Sequence, residues 1–203
     1  SHAVDMFAAA DALRDNPNLA YFSANDLLTS TKTPNDPEFA NMPGLHNVGQ
    51  FGATSGDDVN APEAWEFTTG SATIVVGVID SGVDAAHPDL YLNIWINQGE
   101  IPIALRDQLV DVDDDGLITF RDLNDVSNAA LVRDLNFNGY IDAIDLLRDP
   151  LWADGLDTEQ NGFIDDFFGW NFRRGANEPF APNNPSDVLG HGTHVAGTIG
   201  AIG

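Results

Sequence analysis

Three acidic, glycine-centred segments recur along this chain at a constant step, and any fold for it has to accommodate them. They are Asp111–Asp122, reading DVDDDGLITFRD; Asp134–Asp145, reading DLNFNGYIDAID; and Asp157–Phe168, reading DTEQNGFIDDFF. Their first residues lie 23 positions apart each time, and a fixed period of this kind marks duplicated structural units. The internal spacing suits a hard cation such as Ca2+, which takes about six to eight oxygens at about 2.3–2.6 Å. A tight loop supplies these from positions one, three and five, a backbone carbonyl at seven and an acid at twelve, with glycine at six for the sharp turn. The first loop therefore predicts ligands at Asp111, Asp113, Asp115, the Leu117 carbonyl and Asp122; the second at Asp134, Asn136, Asn138, the Tyr140 carbonyl and Asp145. The third offers Asp157, Glu159 and Asn161 but has Phe168 at position twelve. Asp165 or Asp166 is the candidate substitute there, and a decayed copy serving as a β-turn is the other reading. The isoleucine at position eight of each loop is expected to pair neighbouring loops through a short β contact. A solvated acidic face with turn-forming Asp-Gly and Asn-Gly pairs is the alternative to metal binding.

Charge and composition narrow the partners. Residues 106–166 hold 16 of the 32 acidic residues, and the net charge is −24 with only eight Lys and Arg. Phosphate binding needs clustered cations, so nucleic acid is excluded as a partner; multivalent cations or a salty medium suit the balance. No run approaches the roughly 18 apolar residues of a membrane helix, which argues against membrane insertion. With no cysteine, disulfides and thiolate metal sites are excluded.

Outside the acidic segment the pattern is α/β. Val4, Phe7, Ala8 and Ala12 share a helical face ended by Asn16-Pro17, and Leu19–Phe22 reads as a short strand. Residues 34–59 form a loop-rich stretch. Asn60 with Glu63 predicts a capped helix closed by Gly70. Thr73–Ile79 is a continuous β-branched run suited to a strand buried on both faces, and Phe167–Phe172 resumes strand-like sequence. The first run ends at Asp80-Ser81-Gly82, where open α/β sheets bind ligands. His191, between Gly190 and Gly192, starts an apolar helix. A helix N-terminus disfavours imidazolium, so a base at that place is expected to stay neutral near pH 7. His194 reads as packed or hydrogen-bonded; the His-x-x-His spacing lacks the third ligand that zinc requires.

Val75–Asp84, His87–Leu90 and His191–Gly197 (HGTHVAG) together resemble the subtilisin family of serine proteases, the subtilases. Asn35–Phe39, Gly44–Asn47 and Asp58–Trp65 match the segment such enzymes carry before their first strand. The resemblance implies a parallel sheet with flanking helices, only partly contained in these residues and interrupted over 106–166 by an inserted module. Aspartate at position twelve makes that insert similar to the dockerin variant of the EF-hand loop. Residues 34–203 would be the N-terminal half of a catalytic domain, and residues 1–33 the end of an inhibitory propeptide, cut between Leu27 and Asn35. Asp80 would orient the imidazole and His191 would act as general base, then acid. Asp89 matches a calcium ligand of many relatives, with a turn cap as the alternative. The resemblance also implies a polypeptide substrate, the chain's own propeptide as partner, and secretion or cell-surface display.

Two departures bear on this. Arg173 and Arg174 stand where some relatives carry calcium-binding acids. The family's serine motif is absent, and none of the eight serines replaces it; Ser81 reads as a structural hydroxyl. The chain is therefore expected to be an inactive fragment of a calcium-stabilised zymogen. A calcium-dependent docking module and a pseudoprotease are the alternatives.

Overall fold

In each acidic repeat the first carboxylate folds the loop around itself. Asp111 Oδ2 accepts the amide of Gly116 at 2.8 Å, Asp134 Oδ2 that of Gly139 at 2.9 Å, and Asp157 Oδ2 that of Gly162 at 2.8 Å. The fifth residue then accepts the seventh amide: Leu117 to Asp115, Tyr140 to Asn138 and Phe163 to Asn161. Position four is left-handed every time, with φ of 59° at Asp114, 62° at Phe137 and 62° at Gln160, and the glycines at position six follow at 86°, 95° and 95°. A left-handed non-glycine residue costs about 1–2 kcal/mol, so its recurrence at one position marks a single loop geometry used three times. This geometry comes from a computed structural model, which describes residues 33–71, 73–173 and 179–202. The helix expected over Val4–Ala12, the strand at Leu19–Phe22 and nearly all of the propeptide-like segment lie outside those residues.

The chain divides into two compact units, Ser1–Gly70 and Ser71–Gly203. In the first, Phe39 is buried against His46 and Trp65, with ring centroids 6.2 and 5.8 Å away. Helix α1 (Ala61–Trp65) forms where the sequence predicts one, but ends before Gly70. Its cap also differs. Asn60 is left-handed and its side chain makes no cap bond. Asp58 fixes the turn leading into the helix, accepting the amides of Asn47 and Asn60 at 2.6 Å each. Those two bonds hold its carboxyl below the usual range.

In the second unit the core lies in and beside the repeats. Short helices α2 (Ile103–Arg106), α3 (Phe120–Leu123) and α4 (Ala143–Arg148) deliver Leu105, Phe120, Leu123 and Leu146 inward. Trp152 and Phe167, both fully buried, meet edge to face at 6.1 Å. Helices α3 and α4 each begin with a capping box made by the loop itself: Thr119 with Asp122, and Asp142 with Asp145. The isoleucines do not pair loop to loop as expected. The side-chain amide of Gln98 donates to the Ile118 carbonyl and accepts its N–H, both at 2.9 Å. Asn124 serves Ile141 in the same way, at 2.8 and 2.7 Å. A primary amide sets an N–H donor beside a carbonyl acceptor with the polarity of a peptide unit, so it can replace the missing β partner, while its second N–H bonds the Ile96 or Phe120 carbonyl.

The expected strands are not present among the described residues, which contain helices and turns only. Thr73–Ile79 is open chain, with Ile74 70%, Val75 54%, Val76 55% and Ile79 102% exposed. Strands exist by their ladders and cross-strand pairs, and no ladder forms on this run. At Phe167–Phe172 isolated bonds replace a ladder, with Asn97 donating to the Phe167 carbonyl and Asn171 to that of Pro182, each at 2.7 Å. Helix α5 (His191–Gly200) starts where expected.

Candidate active site and candidate metal centres

The segments around Asp80 and His191 meet because two glycines let their backbones touch. A Cβ on Gly192 would overlap the Gly82 carbonyl. A Cβ on Gly82, whose φ is 118°, would sit 2.5 Å from the Pro185 oxygen. The Val83 amide donates to the same carbonyl at 3.0 Å. With the backbones so close, His191 Nδ1 lies 2.8 and 2.9 Å from the two oxygens of Asp80. The His191 side chain is 72% exposed and that of Asp80 20%.

The hydrogen bond and charge of Asp80 push the His191 pKa up, burial opposes this, and Asp187 adds to it. The carboxylate in direct contact thus works in the opposite direction to the helix N-terminus, which disfavours imidazolium. The His191 bond in turn lowers the Asp80 pKa, as does the Ser81 amide, which donates to Asp80 at 2.7 Å. The pair is thus an imidazole fixed through Nδ1 by an ionised carboxylate, with Nε2 as the ring nitrogen left for chemistry. Ser81 is structural, as expected: its hydroxyl donates to Asp187 and accepts from the Gly192 amide. His194 is exposed rather than packed; its amide donates to the Gly190 carbonyl. Asp89 is exposed, and its carbonyl accepts the Ile202 amide at 2.8 Å.

Around the loops the carboxylates gather unevenly. In loop one, Asp111, Asp113 and Asp115 each bring an oxygen within 4.8 Å of the others. Burial first, then the charges of Asp115 and Asp122, raises the pKa of Asp113. Asp122, 1% exposed, lies outside that group, its oxygens taken by the Val112 and Thr119 amides and the Thr119 hydroxyl. In loop two, Asp145 is likewise buried and accepts the amides of Leu135, Asn136 and Asp142. Asn136 and Asn138 both turn an amide toward Asp142, at 2.8 Å each. Leu117 and Tyr140 sit at the seventh position, their amides already bonded within the loop.

Loop three recruits residues that its own spacing does not reveal. Glu159 and Asp166 gather with Glu100, which is 2% exposed, their ligand oxygens mutually within 4.8 Å. Asn97 and Asn161 each donate to both Glu159 and Asp166. Asp157 stays within its loop, and Asp165 donates its amide to Glu100 Oε1 at 2.6 Å. Glu159 Oε2 is buried with no hydrogen-bond partner among the described residues. Burial, and then Glu159, push the Glu100 pKa up to about 8. Protonated, Glu100 can donate to Glu159; ionised, the three clustered carboxylates offer the oxygens that a hard cation takes, so the donor set at loop three suits Ca2+. Glu100 and Asn97 went unread in the sequence, where they belong to a plain turn after Ile94–Ile96.

Residues 71–203 match the family model described as the subtilase family. Over 59 residues the chain is 42% identical to neuroendocrine convertase 2 of Mus musculus, covering 29% of this chain and 9% of that protein. Over 137 residues it is 29% identical to subtilisin-like protease 1 of Plasmodium berghei (strain Anka), covering 67% of this chain and 14% of that protein. PC3-like endoprotease variant B of Hydra vulgaris is 42% identical over 60 residues, 30% of this chain and 8% of that protein. The chain thus spans a small part of the length of these relatives.

Proposed function

Because this chain belongs to the subtilase family, we propose that it supplies the aspartate and histidine of a serine endopeptidase. The observation that carries this reading is the Asp80–His191 pair, with both carboxylate oxygens within 2.9 Å of Nδ1. Asp80 keeps the proton on Nδ1 and steadies the imidazolium. Nε2 of His191 takes the proton of a serine hydroxyl as it attacks the scissile carbonyl, then returns it to the leaving amine. None of the eight serines here stands in the family's serine motif, so the reading assigns roles to Asp80 and His191 alone. Family likeness supports polypeptide substrates, a secreted zymogen, and residues 1–33 as the end of its inhibitory propeptide. The test is the complete protein on a casein-derived peptide. His191→Ala is expected to lower kcat by several orders of magnitude, and a phosphonofluoridate is expected to abolish turnover. Full activity in His191→Ala contradicts the reading.

We further infer that the loops of the 106–166 insert are dockerin-like calcium sites that stabilise the fold. The first would use Asp111, Asp113, Asp115 and the Leu117 carbonyl, with Asp122 closing the loop from behind. The second would use Asp134, Asn136, Asn138, the Tyr140 carbonyl and Asp145. The third would use Glu159 and Asp166 with Glu100 in place of a position-twelve acid, Asp157 and Asn161 shaping the loop. The clustering of Glu100, Glu159 and Asp166 oxygens within 4.8 Å of one another supports the third site most directly. Asp89 remains a candidate for a further ion. Calorimetric titration of the chain with Ca2+ is expected to show saturable binding that Glu159→Gln weakens. Equal heats in both proteins contradict the third site.

A further inference from the structure

Asp187 collects five donors, more than any other carboxylate near the Asp80–His191 pair. Its Oδ1 accepts the Ser81 hydroxyl at 2.9 Å and the amides of Leu189 and Gly190 at 2.8 and 2.9 Å. Its Oδ2 accepts the amide and hydroxyl of Thr193 at 2.9 and 2.7 Å. Resting on the reading of the pair given above, we propose that Asp187 is a positioning residue, a latch that joins the Asp80 turn to the start of α5 and so sets the Asp80–His191 geometry.

The argument lies in the polarity of the two hydroxyls. An ionised carboxylate only accepts, so Ser81 and Thr193 must both point their protons at Asp187. Their lone pairs are then free for the opposite segment. Ser81, on the turn, accepts the Gly192 amide of the helix at 3.0 Å. Thr193, on the helix, accepts the Asp84 amide of the turn at 3.0 Å. One carboxylate thereby orients two reciprocal crosslinks, one on either side of Asp80 and His191. The Ser81 amide carries the arrangement into the pair itself through its bond to Asp80. Burial works against the ionised form of Asp187, but the Thr193 amide and hydroxyl and the Leu189 and Gly190 amides outweigh it and hold the carboxyl far below the usual range. Asp187 therefore acts as an anion throughout the neutral pH range. An Asn there brings an NH2 group against a ring of donors, which forces one hydroxyl to reverse and frees one crosslink.

The test is 15N NMR of the His191 imidazole in this chain, comparing the parent with Asp80→Asn, Asp187→Asn, Ser81→Ala, Thr193→Val and Thr193→Ser. Asp80 and Asp187 are the charged groups that act on His191, so Asp187→Asn alone mixes lost charge with lost geometry. Ser81→Ala and Thr193→Val change no charge. Both are expected to weaken the Asp80-dependent Nδ1–H signal and to move the His191 pKa down toward its value in Asp80→Asn, while Thr193→Ser restores parent behaviour. The Trp152 indole resonance reports an intact fold in each variant. If Asp80→Asn shifts His191 but Ser81→Ala and Thr193→Val do not, the latch is wrong and the pair stands. If Asp80→Asn itself changes nothing, the pair is wrong and the latch falls with it.

Discussion

The repeat body and the Asp80–His191 attachment are held together by opposite means. The body buries Trp152, Phe120 and Phe167 completely, and apolar burial of that kind supplies stability without direction. The attachment leaves Ile79 fully exposed and Val75 and Val76 more than half exposed. Its geometry rests on hydrogen bonds from named donors to Asp80 and Asp187. Hydrogen bonds add little net free energy but fix distances to tenths of an ångström. The comparison teaches that here stability and site geometry are separate properties, set by different residues, and mutations should separate them.

The largest effect belongs to the body. Trp152→Ala removes a fully buried ring and its bond to the Leu131 carbonyl; a loss of about 3–5 kcal/mol is expected in urea unfolding. A loss below about 1 kcal/mol would break the assignment of the core.

Calcium comes next. At a free concentration 100 times Kd, one site adds about 2.7 kcal/mol, so the chain should melt well above its EDTA-treated form, and a coincident pair of melting curves removes calcium from the account.

Without metal, pH should act through Glu100. Its carboxyl, ordinarily at 4.5, is raised to about 8 in the folded state. The folded protein therefore retains a proton that the unfolded chain releases. That contribution is fully present below about pH 4.5 and is lost as pH rises through about 8. Metal-free melting temperatures should fall across this window, and Glu100→Gln should flatten the fall.

The smallest thermal effect is expected at the attachment. Asp80→Asn should leave the melting temperature of the body nearly unchanged while moving the His191 pKa down. Its raised pKa makes the pair's contribution present at low pH and lost as pH climbs past the folded value. A large thermal loss in this variant would tie the two regions together after all.

What the sequence made legible was local. Acid and glycine spacing is backbone chemistry within a dozen residues, so the three loop geometries, and the helix start at His191, could be read directly. The Asp80–His191 pairing was legible only through resemblance to a family. Partners remote in sequence were not legible. Gln98 and Asn124 stand in for β neighbours, and nothing in their surroundings marks an amide for that role. Glu100 reaches loop three only because the chain folds back on itself. The β-branched run at Thr73–Ile79 describes a segment suited to a sheet, but composition cannot provide the ladder that makes it a strand. Asp187 lies in a stretch rich in Asn and Pro (173–188), where one more polar residue carries no distinguishing mark, although an aspartate shortly before a helix start is a recognisable capping signal.

Amide hydrogen exchange of this chain with and without Ca2+ tests the division most directly. The account predicts slow exchange for the core amides of Leu123, Leu146 and Trp152, slower still with calcium, and fast exchange over residues 74–79 in both states. Protection of residues 74–79 equal to that of Trp152, or protection of Trp152 that ignores calcium, would contradict it.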